Sequence, residues 1–221
     1  MDIISEILSN TELTSSMQML FFMTILMLLP TILIMMTSFV RIIITFSFIK
    51  SALGAQQTIP NTILIGLALC MTMFIMSPVV EKINQNSIQP YMGEEINDEQ
   101  AYEELKKPIV EFLLKNTREK DLELFVNNSS IKGENIDREE LPLNIIVPAF
   151  AISELKTAFQ IGFIIYIPFL VVDLIVSSTL MSMGMFMLPP AMISLPFKLL
   201  LFVMVDGWNL LVKSLIESFI W

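Results

Sequence analysis

The expected fold is all-α: kinked helical hairpins associated with a membrane, carrying a small helical insert outside it, and functional only as an oligomer. Three observations lead there. Of 221 residues, 54% are hydrophobic and only 16% charged, whereas an ordinary soluble domain has roughly 45–50% and about 25%. The apolar residues collect in long blocks at 17–36, 63–80, 159–188 and 192–221. A membrane-crossing helix needs about 20 mainly apolar residues, and a chain of this length cannot hide four such blocks from water. Finally, the charge is segregated: residues 81–147 hold 15 of the 22 acidic and 8 of the 13 basic side chains, and so −7 of the net −9. The expected division is 1–80, N-terminal helices and a first hairpin; 81–147, the acidic insert; and 148–221, a second hairpin.

The first sixteen residues contain Asp2, Glu6 and Glu12, and no base precedes Arg41. A secretory signal begins with a basic stretch, so 17–36 is expected as a retained helix, kinked where Pro30 removes a backbone donor. A second helix, FVRIIITFSFIKSALG, should close at Gly54. Pro60 disfavours helix at Ile59, and Asn61 can cap the third helix, which is expected to end at Ser77-Pro78. In the insert, Asn97 can cap a helix running towards Lys107, and Pro108 suits the first turn of another. Asn116 with Glu119 has capping-box spacing, and 127–140 has loop composition. The block 159–188 contains Pro168 and Asp173, and 192–221 contains Pro196, Lys198, Asp206 and Gly207. Both are expected as broken segments, whose irregular backbone survives at membrane depth only against protein or a water-filled path. Arg41 and Lys50 favour the cytoplasm, which puts the insert outside, the turn at 181–190 towards the cytoplasm, and the end of the chain outside.

Several function classes are poorly supported. There is no histidine, hence neither the commonest general base nor the commonest metal ligand. The single cysteine, Cys70, cannot form an intramolecular disulfide and reads as a small buried hydrophobe. No glycine pattern resembles a phosphate loop or a nucleophile elbow, and an acidic insert lacks the basic patch nucleic acid requires. No catalytic residue, metal site or cofactor is expected.

The polar residues inside the apolar blocks carry the remaining interest. Asp173 and Asp206 each cost about 2.5–3.5 kcal/mol at a helix centre unless partnered; Arg41, Lys198 and Lys213 are the available counter-ions. They could form a proton relay or structural ion pairs, and the lack of histidine favours pairs. Asp206, Asn209, Lys213 and Glu217 fall on one helical face. Met181, Met183, Met185 and Met187 alternate around Gly184 and Phe186, ahead of Pro189-Pro190. Methionine adapts to surfaces of changing shape; such a turn could close a pore by dewetting, or serve as core packing.

Two long strings, TSFVRIIITFSFIKSALGAQQTIPNTILIGLALCMTMFIMSP at 37–78 and SELKTAFQIGFIIYIPFLVVDLIVSSTLMSMGMFMLPPAMISLPFKLLLFVMVDGW at 153–208, closely resemble the FliP family of flagellar type III export-gate proteins. The resemblance runs from about residue 20 to 211, with Ile59 standing where members usually show proline. It implies five copies assembled with four FliQ and one FliR in a closed helical cone at the flagellar basal body of the bacterial inner membrane. The hairpins of that cone are lifted out of the ordinary bilayer plane. Unfolded flagellar proteins would pass through it, driven by other export-apparatus proteins, and Met183, Met185, Phe186 and Met187 would form the gasket of the resting pore. Arg41, Glu154, Lys156, Asp173, Lys198 and Asp206 would be buried polar or subunit-contact residues rather than catalytic ones. The competing readings are an ion transporter using Asp173 and Asp206, and a passive scaffold.

Overall fold

The computed structural model describes residues 15–56, 58–129 and 137–220, which are helical with no strand among them. The chain forms two compact units, Met1–Met35 and Met36–Trp221. In the first, α1 (Ser15–Met35) continues past Pro30. Its described side chains are almost all apolar and exposed, so it offers no polar stripe to water.

The second unit begins with α2 (Phe39–Ala52), which buries Ile42, Thr45, Phe46, Ile49 and Ala52, with Arg41 beside them. This is the i, i+3, i+4, i+7 stripe of a helix laid against a core, here packed on α7 (Leu143–Ser182). The third helix, α3 (Asn61–Ile83), differs from expectation at both ends. Extended Pro60 occupies the cap position, and Asn61 instead accepts a hydrogen bond from Lys50 Nζ at 2.6 Å. Pro78 does not end the helix. Proline at 78 cannot bond the Phe74 carbonyl, but Ser77 Oγ donates to that carbonyl at 2.8 Å. The helix then passes through a π turn at Asn84–Ile88 into α4 (Gln89–Met92). Cys70 is exposed rather than buried, because it lies off the stripe of Leu64, Ala68, Met71, Ile75 and Val79 that α3 turns inward.

In the insert, Asn97 caps α5 (Asp98–Lys115) through a reciprocal box with Gln100. Pro108 lies inside this single helix and starts no new one. An interior proline costs ~3 kcal/mol, yet Val110, Phe112 and Leu113 are buried just beyond it. At roughly 1.5–3 kcal/mol per buried side chain, that burial outweighs the proline. The capping box expected of Asn116 and Glu119 is absent: Asn116 ends α5, and Arg118 precedes α6 (Glu119–Asn127). Within the expected loop, 138–140 form one 3₁₀ turn, and 130–136 lie outside the described residues.

The largest departure is α7, forty residues without interruption, including Pro148 and Pro168. It runs through position 147 and spans about 60 Å at 1.5 Å per residue, so the third block is continuous rather than broken. The fourth block is broken as expected: α8 (Pro190–Met204) and α9 (Gly207–Glu217) meet at a 63° bend. Asp206 makes the corner in the left-handed region, φ +50°. Gly207 must follow it because a Cβ there would lie 2.3 Å from the Phe202 ring. The core joins α2, α5, α7 and α9 through Phe46, Leu113, Ile146, Phe150 and Leu215, all fully buried. The faces of α3 and α7 away from the core are apolar: Met73, Phe74, Phe163, Ile164, Leu174 and Ile175 are exposed. Among the described residues two helices, Asn61–Met92 and Leu143–Ser182, are long and apolar enough to cross a membrane, or three spans if the bent pair counts as one.

Candidate functional site

Two ion pairs and one turn are the places where polar or adaptable side chains concentrate in the apolar hairpins. Arg41 enters from the first turn of α2 and Glu154 from the second quarter of α7; they are 3% and 0% exposed. Arg41 Nε donates to Glu154 Oε2 at 2.9 Å and Nη2 to Oε1, a bidentate fork. Nη1 donates to the Ser218 carbonyl at 2.7 Å and to its Oγ at 2.9 Å. The Phe219 ring lies beneath the guanidinium at 3.8 Å. Bidentate, charge-assisted bonds of this kind are the strong ones, and they allow a charge to sit in this core.

The second pair lies towards the methionine turn. Lys198 Nζ donates to Asp173 Oδ2 at 2.6 Å and to the Ala52 carbonyl at 3.0 Å, one of the last carbonyls of α2. Ser194, one helical turn before Lys198 on α8, donates Oγ to Asp173 Oδ1 at 2.5 Å. Of the three counter-ions considered for Asp173, the structure therefore selects Lys198. Asp206 is exposed and, among the described residues, its carboxylate has no hydrogen-bond or ion-pair partner, so no bonded chain joins it to Asp173. Lys156 is likewise exposed and has no ion-pair partner among the described residues. Lys213 is 3.8 Å from Glu217, and both line a shallow groove with Asn209, Val212 and Ile216. The polar face of α9 is thus present, opposite buried Leu211 and Leu215.

The turn between α7 and α8 is set by Gly184, whose φ of +76° closes the end of α7. Its amide donates to the Met181 carbonyl, and the Met185 amide to Leu180, both at 3.0 Å. The cost of a left-handed residue falls on glycine, which bears it best. Met183, Met185, Phe186 and Met187 project from this turn with large exposed areas; Met187 is 97% exposed. Among the described residues, Met187 and Phe186 are left largely uncovered, and Met185 is the most covered of the four. No group of acidic, histidine or cysteine side chains among the described residues could hold a metal ion.

The insert is held to the hairpins by separate polar contacts. Glu111 of α5 accepts from Lys82 of α3 at 2.8 Å and from Lys115 at 2.9 Å, and these bonds hold its carboxyl below the usual range. Ser153 of α7 donates to Asp121 Oδ2 at 2.6 Å and accepts the Arg118 amide at 3.0 Å. The roles of Ser194, Ser218, Ser153 and Phe219 were missed from the sequence. Ser194 could have been found from its i, i+4 spacing to Lys198; the others meet partners from 32 positions away, for Ser153, to more than 170, for Ser218 and Phe219, which no local pattern marks.

The chain matches the FliP family over residues 22–215. The flagellar biosynthetic protein FliP of Bacillus subtilis (strain 168) is 53% identical over 209 residues, covering 94% of this chain and 94% of its own length. The corresponding protein of Aquifex aeolicus (strain VF5) is 48% identical over 209 residues, covering 94% and 87%. That of Pectobacterium carotovorum subsp. carotovorum is 50% identical over 206 residues, covering 93% and 80%.

Proposed function

The chain belongs to the FliP family, and from that premise we propose that it is a core subunit of the flagellar protein-export gate. With further copies of itself, five in all, and with FliQ and FliR, it forms the closed channel through which unfolded flagellar proteins are secreted. The family is structural rather than enzymatic, in keeping with a site made of ion pairs and apolar side chains. The assembly sits in the bacterial inner membrane at the flagellar basal body, with the insert outside.

The observation that carries the gating part is the turn after α7. Four large, adaptable apolar side chains, Met183, Met185, Phe186 and Met187, are exposed together on a short connection between two apolar helices. Several copies converging on an axis would bury these side chains against one another and exclude water from the resting pore. Asp173–Lys198 and Arg41–Glu154 act within the subunit. Lys156 and Asp206, whose charged groups have no partner among the described residues, are placed to meet neighbouring subunits.

Deleting 185–187 tests the gasket. Cells carrying the variant should leak ions and small solutes through assembled gates. Unchanged permeability, with the assembly intact, would overturn the gasket assignment and leave the scaffold reading in its place.

A further inference from the structure

Beyond α9 the backbone is irregular, yet it is gripped from several sides. Arg41 of α2 bonds the carbonyl and hydroxyl of Ser218 and covers the Phe219 ring. Asn116, at the end of α5, donates Nδ2 to the Ile220 carbonyl and accepts the Ile220 amide on Oδ1, both at 3.1 Å. One side-chain amide thereby satisfies both backbone polar groups of a single residue, much as a short peptide is read in a groove. Phe219 is 4% exposed. It stacks on Phe112 of α5 at 6.3 Å, and Phe112 in turn lies 6.0 Å from Phe150 of α7. Asn116 is itself buried and also donates Nδ2 to the Phe112 carbonyl at 3.0 Å; an unmade bond at a buried amide is costly.

We infer that 218–220 form a strap fastening the acidic insert to the hairpin helices, with Asn116 and Arg41 as its two positioning anchors. Asn116 belongs to the insert; Arg41 and its partner Glu154 belong to the hairpins. Because the strap follows directly on α9, a displacement of α5 pulls on α9, and through the 63° bend on α8 and its turn. The insert is then mechanically linked to the hairpins as well as resting on them. This does not depend on the export reading.

The test is amide hydrogen exchange on the full, detergent-solubilised assembly. Asn116→Ala removes both bonds to Ile220, and Phe219→Ala releases the strap without touching Asn116. Each should speed exchange roughly tenfold in 109–127. Amides of 159–182 and the native mass should stay as they were. The strap is excluded if the insert amides change less than about twofold, a change too small for two lost bonds. It is excluded equally if only Asn116→Ala acts, which would make Asn116 a plain helix cap, or if either variant loses the native mass. A failed leak experiment at the methionine turn would leave this exchange pattern unaffected, so the two readings stand or fall separately.

Discussion

At the scale of residues, Arg41 and Glu154 show how a charge survives in an apolar core. Both are buried, and removing one partner leaves the other uncompensated. Glu154→Gln should therefore lower stability by ~3–5 kcal/mol, the cost of breaking a buried pair. Arg41→Met alone should do likewise. The double variant Arg41→Met, Glu154→Leu should recover part of that loss, since apolar replacements of similar volume are often tolerated. Thermal unfolding of the solubilised protein measures all three. Strict additivity would show that the residues do not act as a pair. The Asp173 carboxylate has Ser194 and Lys198 for partners, whereas that of Asp206 has none among the described residues. The same side-chain type at similar positions in two apolar blocks thus has two environments, a difference invisible in PFLVVDLIV and LFVMVDGWN.

At the scale of elements, the corner at 205–207 is the most constrained feature. Phe202 packs between Phe169 and Trp208, with ring centroids at 6.2 and 5.3 Å, and Gly207 gives its ring room. Gly207→Ala should drive Phe202 from this cluster and cost ~1–3 kcal/mol, as overpacking does. Asp206→Gly should be neutral, or stabilising by up to ~1 kcal/mol, because glycine relieves the left-handed conformation. Opposite shifts in unfolding temperature would confirm that the bend is set by backbone and sterics; equal shifts would show that the Asp206 carboxylate matters more. Prolines proved poor guides to helix ends. Pro78, Pro108, Pro148 and Pro168 all lie inside helices. Where neighbouring residues are buried or a side chain takes up the freed carbonyl, one missing bond is too small a loss to stop a helix.

At the scale of the whole molecule, the second unit presents large apolar residues over much of its surface, along with Lys156 and Asp206, whose charged groups have no partner among the described residues. Apolar area on this scale marks contact with lipid or protein, and charges within it call for partners. The solubilised protein should accordingly run as a particle several times heavier than the 25.1 kDa chain. Native mass spectrometry giving a lone monomer would count against the export gate.

The amino-acid sequence alone determined the class: long apolar blocks, an acidic insert, a polar stripe on α9, the Asn97 cap, and a methionine turn framed by glycine and prolines. Such features depend on composition and on spacings of four residues or fewer, which local backbone geometry reads directly. Only the tertiary structure decided that α7 is one helix of forty residues, that Arg41 meets Glu154, and that Asn116 holds Ile220 and caps no helix start. The last two outcomes depend on partners more than a hundred positions apart. A buried charge or amide takes whichever partner the packed helices bring within about 3 Å, and nothing local to Arg41 or Asn116 announces which that will be.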